Sequence, residues 1–228
     1  MIEFRQVSKM YFRGKRGHQI TVTAVQEIDL KIDPGEFVVI TGRSGCGKTS
    51  LLNLIAGLGR PDSGQVFVDG TDIWTMKDES ISALRNQKMG FMFQVPSLIP
   101  TLNVLDNVVV PTLFAPKEKQ KDAYQYAKQA LEAVGLSHRM DAFPRHLSAG
   151  EEKRVVIARA IINNPPVLLA DEPTANLDEL TEKEVMALVQ EIHRGGTTII
   201  LVTHHPSLIG YGTRHLTMSD GRFVEPHS

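Results

Sequence analysis

The chain has 228 residues, of which 42% are apolar and 22% charged, with a formal net charge of −1. That balance allows a sizeable core, argues against a disordered tail or an integral membrane protein, and gives no overall electrostatic reason to expect nucleic-acid binding. A single cysteine, Cys46, excludes an internal disulfide; the amino end lacks a secretion-signal pattern; and no apolar run approaches the roughly 20 residues of a membrane-crossing helix. A cytosolic location is expected by default, and any membrane role has to come through a partner.

The first forty residues read as strands of an antiparallel sheet, with alternating stretches at Ile20–Val25 and Ile28–Ile32 and a break at Asp33-Pro34-Gly35. Between Arg13 and Gln19 the pattern is irregular. Phe37-Val38-Val39-Ile40 is a short continuous apolar run, the signature of a strand buried on both faces. It leads into glycines and then a Leu- and Ile-rich helix over Thr49–Leu58, stopped by Gly59 and Pro61. Gln65–Val68 predicts a strand before an Asp69-Gly70 turn, Asp78–Lys88 a polar helix, and Gly90–Phe93 another strand.

From Val95 to about Pro166 the pattern turns helical, with amphipathic stretches at Lys117–Val134 and Ala149–Ile162, and reads as an inserted helical subdomain. Two buried strands, Val167–Ala170 and Thr198–Val202, flank a helix at Glu179–Arg194 and resume the α/β core. His215–Met218, the Asp220-Gly221 turn and Phe223-Val224 predict a closing hairpin. Repeats and low-complexity tracts are absent.

Gly42-Arg43-Ser44-Gly45-Cys46-Gly47-Lys48-Thr49, followed by Ser50, fits the G-x-x-x-x-G-K-[ST] phosphate loop in its required setting, after a strand and opening a helix. In such a loop successive backbone N–H groups converge on phosphate oxygens. Lys48 is expected to pair with the β- and γ-phosphates and the Thr49 hydroxyl to ligate Mg²⁺. Asp171 and Glu172 stand at the carboxyl end of a buried strand, where open α/β sheets bind ligands. Asp171 is the candidate for holding the metal and Glu172 the candidate general base for an attacking water.

Leu147-Ser148-Ala149-Gly150-Glu151, followed by Arg154 and Ile157-Ala158-Arg159-Ala160, resembles the signature motif of ATP-binding-cassette (ABC) ATPases. Taken alone, the segment reads equally well as a Ser-capped helix. The resemblance spans essentially the whole chain, and further elements follow in the family's order. Gln94 matches the Q-loop glutamine, which in the family senses Mg²⁺ and the attacking water. Asn176-Leu177-Asp178 matches the D-loop that crosses to the other subunit, and His204 matches the switch histidine of the γ-phosphate. Tyr11, with Phe12 beside it, matches the aromatic that stacks on adenine. The pattern departs from the family at Ala149, where glycine is usual, at Glu151, where glutamine is more frequent, and at His205, where aspartate often stands.

The resemblance implies an α/β, P-loop NTPase ABC ATPase fold: an antiparallel β subdomain and parallel core formed by residues 1–94 and 167–228, and a helical subdomain at 95–166. It implies ATP and Mg²⁺ as ligands, and a homodimer or pseudo-dimer with ATP at its interface. Each ATP is then held by one chain's phosphate loop and the other chain's Ser148 region. It further implies a membrane permease on separate chains and a peripheral place on the cytoplasmic face of the inner membrane. Leu84–Phe91, Leu98–Val104 and Ala170–Asp178 resemble the lipoprotein-releasing and macrolide-export branch. The alternatives are a cell-division regulator, a soluble DNA-repair ATPase and a ribosome-associated ATPase. The last two are disfavoured because no coiled-coil or Cys-rich insertion, and no second cassette, is present.

Overall fold

The structure, a computed structural model, describes residues 1–13 and 20–224, so the irregular loop read before Gln19 lies from residue 14 on outside the described residues. In chain order the strands and helices are β1 (Ile2–Arg13), β2 (Ile20–Ile32), β3 (Phe37–Thr41), α1 (Lys48–Ile55), β4 (Ser63–Val68), β5 (Thr71–Asp72), α2 (Asp78–Lys88) and β6 (Met89–Met92). They continue with α3 (Val104–Val109), α4 (Lys117–Gln120), α5 (Ala123–Ala133), α6 (Ala149–Ile161), β7 (Val167–Asp171), α7 (Glu179–Arg194), β8 (Thr198–Thr203), β9 (Arg214–Ser219) and β10 (Arg222–Val224). Two compact units emerge, Met1–Ser82 with Ile200–Ser228, and Ala83–Ile199.

In the first unit, β1 and β2 pair antiparallel from Ile2↔Ile32 through Phe4↔Leu30, and β4 pairs antiparallel on the other side of β1. Ile28, Leu30 and Ile32 are buried in alternation with exposed Asp29 and Lys31, as a strand with one wet face requires. The two stretches read at 20–25 and 28–32 are one strand, continued through an irregularity at Glu27, whose φ is 47. A second sheet runs β10-β9-β3-β8 in this unit, with β3 and β9 parallel and β10 antiparallel to β9 across the Asp220-Gly221 turn. Phe37 to Ile40 are buried throughout, which explains the absence of polar alternation there. Helix α1 stops at Ile55, three residues before the expected Leu58. Gly57 adopts φ 63 and the Leu58 amide reaches back to the Asn53 carbonyl at 2.9 Å, a left-handed closure that consumes the last turn.

In the second unit, β6 and β7 pair in parallel from Met89↔Val167 to Met92↔Ala170. The expected helix over Lys117–Val134 is two helices, because Asp122 (φ −106, ψ 17) leaves helical geometry and Gln120 spends its side-chain amide on the Ala115 carbonyl at 2.7 Å. Asn107, fully buried, accepts from the Ile99 amide at 2.7 Å and donates toward the carbonyls of Ile99, Leu102 and Asn103. One side chain therefore supplies the polar partners that a buried loop otherwise lacks. The core is built from Val155 to Ala158 of α6, Leu168 to Ala170 of β7, and Val185, Met186 and Val189 of α7. Among the described residues, no helix is long and apolar enough to cross a membrane.

Strand β6 lies directly on α6. A Cβ at Gly90 would stand 2.4 Å from the Ala160 carbonyl oxygen and 3.1 Å from Pro165 Cγ. Gly90→Ala is therefore expected to lower stability by about 1–3 kcal/mol, through forced separation of strand and helix backbones. Urea unfolding reads this as an earlier midpoint at an unchanged slope, and an unchanged midpoint would contradict the contact.

Candidate functional site

The phosphate loop connects β3 to α1. Gly47 caps α1 at φ 111, where a Cβ would fall 1.9 Å from the Ala24 carbonyl oxygen, so only glycine closes the loop at that place. The Lys48 side chain folds back beneath the arch and is buried. Its ammonium donates to the carbonyls of Gly42 at 2.7 Å and Arg43 at 3.1 Å, and lies 3.9 Å from Cys46 Sγ. The Cys46 carbonyl accepts the Gly221 amide and its own amide donates to the Arg43 carbonyl, which ties down both ends of the arch. Arg43, Ser44, Gly45 and Thr49 are exposed, Ser50 half-buried, and the cap residue Gly47 offers α1 no side-chain hydrogen bond. A cation thus sits inside a ring of backbone at an uncapped helix start, an arrangement suited to a polyanion.

Tyr11 lies on β1 with its ring exposed and Lys9 Nζ 5.6 Å from the ring centroid. Asp62 pins this stretch by accepting the Met10 amide at 2.6 Å and the Lys9 ammonium at 3.1 Å. His204 is exposed immediately after β8. The His205 ring lies 4.0 Å from it, tilted by 40°, and the His205 amide donates to the Thr203 hydroxyl at 3.0 Å. These residues belong to the same unit as the phosphate loop.

The second unit holds the remaining candidates. Asp171 ends β7 and Glu172 follows it, both buried and carboxylate-bearing. Glu172 has φ 46, a left-handed conformation that a residue with a Cβ adopts at a cost of about 1 kcal/mol, so the surroundings hold it there. Asn176 is also left-handed, at φ 65. Asp178 is the amino-terminal cap of α7, accepting from the amides of Leu180 and Thr181 and from the Thr181 hydroxyl. Those bonds, led by the Thr181 hydroxyl, hold its carboxyl below the usual carboxylate range.

Leu147 precedes α6, and Ser148 caps it. The Ser148 hydroxyl accepts the Glu151 amide at 3.2 Å and the Glu151 carboxylate accepts the Ser148 amide at 2.8 Å, a capping box. The Ser-capped helix is present, and the segment that resembles the signature forms its start. Glu151 also takes Arg139 Nε at 2.7 Å, so both of its oxygens are occupied. Ala149 is exposed as the first helical residue and needs no left-handed backbone. Gly150 differs, because a Cβ there would meet Thr181 Cγ2 at 2.6 Å. The starts of α6 and α7 thus touch at a point where Thr181 is held by Asp178.

Gln94 is exposed two residues beyond β6, and its carbonyl accepts Lys153 Nζ at 2.9 Å. Lys153 and Arg139 went unread in the sequence. Lys153 was visible in principle as a lysine in the buried i, i+3, i+4, i+7 stripe that it shares with Val156, Ile157 and Ala160. Arg139 lies twelve residues from its partner and carries no local signal.

A sequence profile of the family described as ABC transporter matches residues 25–175. The lipoprotein-releasing system ATP-binding protein LolD of Syntrophotalea carbinolica is 41% identical over 225 residues, covering 98% of this chain and 97% of that protein. The macrolide export ATP-binding/permease protein MacB of Syntrophobacter fumaroxidans is 40% identical over 230 residues, covering 100% of this chain but 32% of that protein. Among solved structures, the dimeric post-hydrolysis state of the ATP-binding cassette MJ0796 bound to ADP and Pi matches with a TM-score of 0.88 at 34% identity, covering 100% of both chains.

The Glu151 carboxyl is held below the ordinary range, first by the Ser148 amide and then, against the opposing effect of burial, by Arg139 and the Ser148 hydroxyl. Its folded pKa lies under its unfolded one. The stabilisation is complete above the unfolded value, about pH 4.3, and drains away as pH falls through the folded value. Glu151→Gln is expected to lose about 1 kcal/mol at pH 7, and the gap from the parent chain should close in acid. Urea titrations at pH 7 and pH 3 check this; an equal gap at both would remove Glu151 from the pH dependence.

Proposed function

The chain belongs to the ABC transporter family, and we propose that it works as a homodimer or pseudo-dimer that powers a membrane permease carried on other chains. It is an ATP-binding and ATP-hydrolysing subunit of the lipoprotein-release and macrolide-export type. Cassettes of this family dimerise and act with membrane permeases, and MJ0796 is such a dimer. The observation that carries the reading is the Lys48 ammonium, buried under an arch whose carbonyls it bonds at a helix start capped by a glycine.

In the proposed reaction the amides from Ser44 to Thr49 and the Lys48 ammonium bind the β- and γ-phosphates, while Tyr11 stacks on the base. Arg43 to Cys46 line the approach, and Ser50 completes the helix start. The Thr49 hydroxyl, the Asp171 carboxylate and the Gln94 side-chain oxygen are hard oxygen donors, a set that fits Mg²⁺. When bound, that ion would neutralise charge on the β- and γ-phosphate oxygens. Glu172 accepts a proton from the attacking water, and His204 contacts the γ-phosphate. Ser148, with the amides of Ala149 and Gly150, contacts the γ-phosphate held by the partner, flanked by Leu147 and Glu151. Asn176 to Asp178 cross to the partner. Residues 1–94 with 167–228 act as the ATP-binding core and 95–166 as the helical subdomain. The protein then sits peripherally on the cytoplasmic face of the membrane through its permease.

Glu172→Gln keeps the shape and removes the base. Turnover is expected to fall about 10²- to 10⁴-fold, and ATP to drive the variant into a stable dimer on gel filtration with multi-angle scattering. Parental turnover in this variant would refute the role given to Glu172.

A further inference from the structure

Helix α6 holds the loop after β6 at three of the four carbonyls from Gln94 to Ser97. Lys153 Nζ donates to Gln94 at 2.9 Å, and the terminal nitrogens of Arg159 donate to Pro96 at 2.7 Å and Ser97 at 2.9 Å. Strand β6, which leads into Gln94, leaves no space for a methyl group at Gly90 against the Ala160 carbonyl of the same helix. Strand, loop and helix are therefore tied together.

The means of attachment is informative. Lys153 is 4% exposed, and burial lowers its pKa, opposed by the carboxylates of Glu152 and Glu172. A methionine of similar length would fill that place without taking a charge out of water, and such replacements are often neutral or stabilising. What the lysine provides and methionine cannot is a fixed distance from the helix to the Gln94 carbonyl. One turn away, the same helix begins with Ser148 and Glu151.

Resting on the reading of Gln94 given above, we infer that Lys153 is a positioning residue for Gln94. It transmits displacement of the signature end of α6 to the Gln94 backbone, and so sets the place of the Gln94 side chain. The motion is a rigid-body transfer along a helix that begins at the residues engaged by the partner's nucleotide. Lys153 is buried and acts through the Gln94 backbone, which it bonds.

A double-mutant cycle in the full chain tests this, reading kcat, KM for ATP and the Mg²⁺ concentration for half-maximal hydrolysis. Lys153→Met is expected to lower kcat about tenfold and to raise the Mg²⁺ midpoint, with KM for ATP held within about twofold. Lys153→Arg should restore most of kcat. In a Gln94→Ala background, Lys153→Met should cost less than about twofold more. The same loss in both backgrounds would overturn the inference, because Lys153 would then act independently of Gln94. If Gln94→Ala alone left kcat and the Mg²⁺ midpoint unchanged, the reading of Gln94 would fail, a separate result. Lys153→Gln stands in if the Met variant does not fold, and if neither folds the lysine is a structural tie and the inference falls.

Discussion

The first turn of an α-helix has N–H groups with no partner inside the helix, and the fate of those groups decides what each helix start of this protein can do. Three starts are handled in three ways. At α1 the cap is Gly47, which has no side chain to offer. At α7 the cap is Asp178, whose carboxylate takes two amides and a hydroxyl. At α6 the cap is Ser148, whose hydroxyl takes the Glu151 amide while Glu151 takes the Ser148 amide. Asp178 already brings a negative charge to its helix, so that start is closed to another anion. The α1 start, with Lys48 beneath it, is electropositive. The α6 start is intermediate, with the amides of Ala149 and Gly150 outside the capping box.

That division explains why the second unit is so heavily braced. The proposed meeting of the α6 start with a ligand held by another molecule needs a fixed direction. Arg139 fixes the Glu151 side, Thr181 abuts Gly150, and Lys153 with Arg159 tie the middle of the helix to the loop 94–97. The bonds of Arg139 to Glu151, Lys153 to Gln94 and Arg159 to Pro96 are part buried, where charge-assisted hydrogen bonds hold geometry more tightly than surface ion pairs do.

The parts of the fold legible in the sequence were those governed by local rules. Phe37–Ile40, Val167–Ala170 and Thr198–Val202 were readable because a strand buried on both faces has no polar alternation to disguise it. The phosphate loop was readable because glycine and lysine at fixed spacing answer a steric and electrostatic demand within eight residues. The helix ends at Ile55 and Asp122 were not, since a left-handed closure and a competing Gln120 bond are decided by backbone geometry rather than by hydrophobic period. Asn107 and Arg139 escaped for a related reason: each meets a need of a segment that folding brings to it. Glu172 was read for its carboxylate, but nothing in the sequence announced its left-handed backbone.

The family departures can be weighed by the same logic. Ala149 is the first residue of α6 and exposed, so its methyl group meets ordinary helical backbone and open surface; the steric demand for glycine falls on Gly150, against Thr181. Glu151 does what glutamine would do at the third position of a capping box, and its negative charge adds an ion pair to Arg139 that an amide could not make. His205 places a ring 4.0 Å from His204 and anchors its own amide on Thr203, so the proposed switch histidine has a packed neighbour where a carboxylate would act by charge. Ala149 and Glu151 thus fit an ordinary helix start with a complete capping box, and His205 fits a strand end anchored on Thr203.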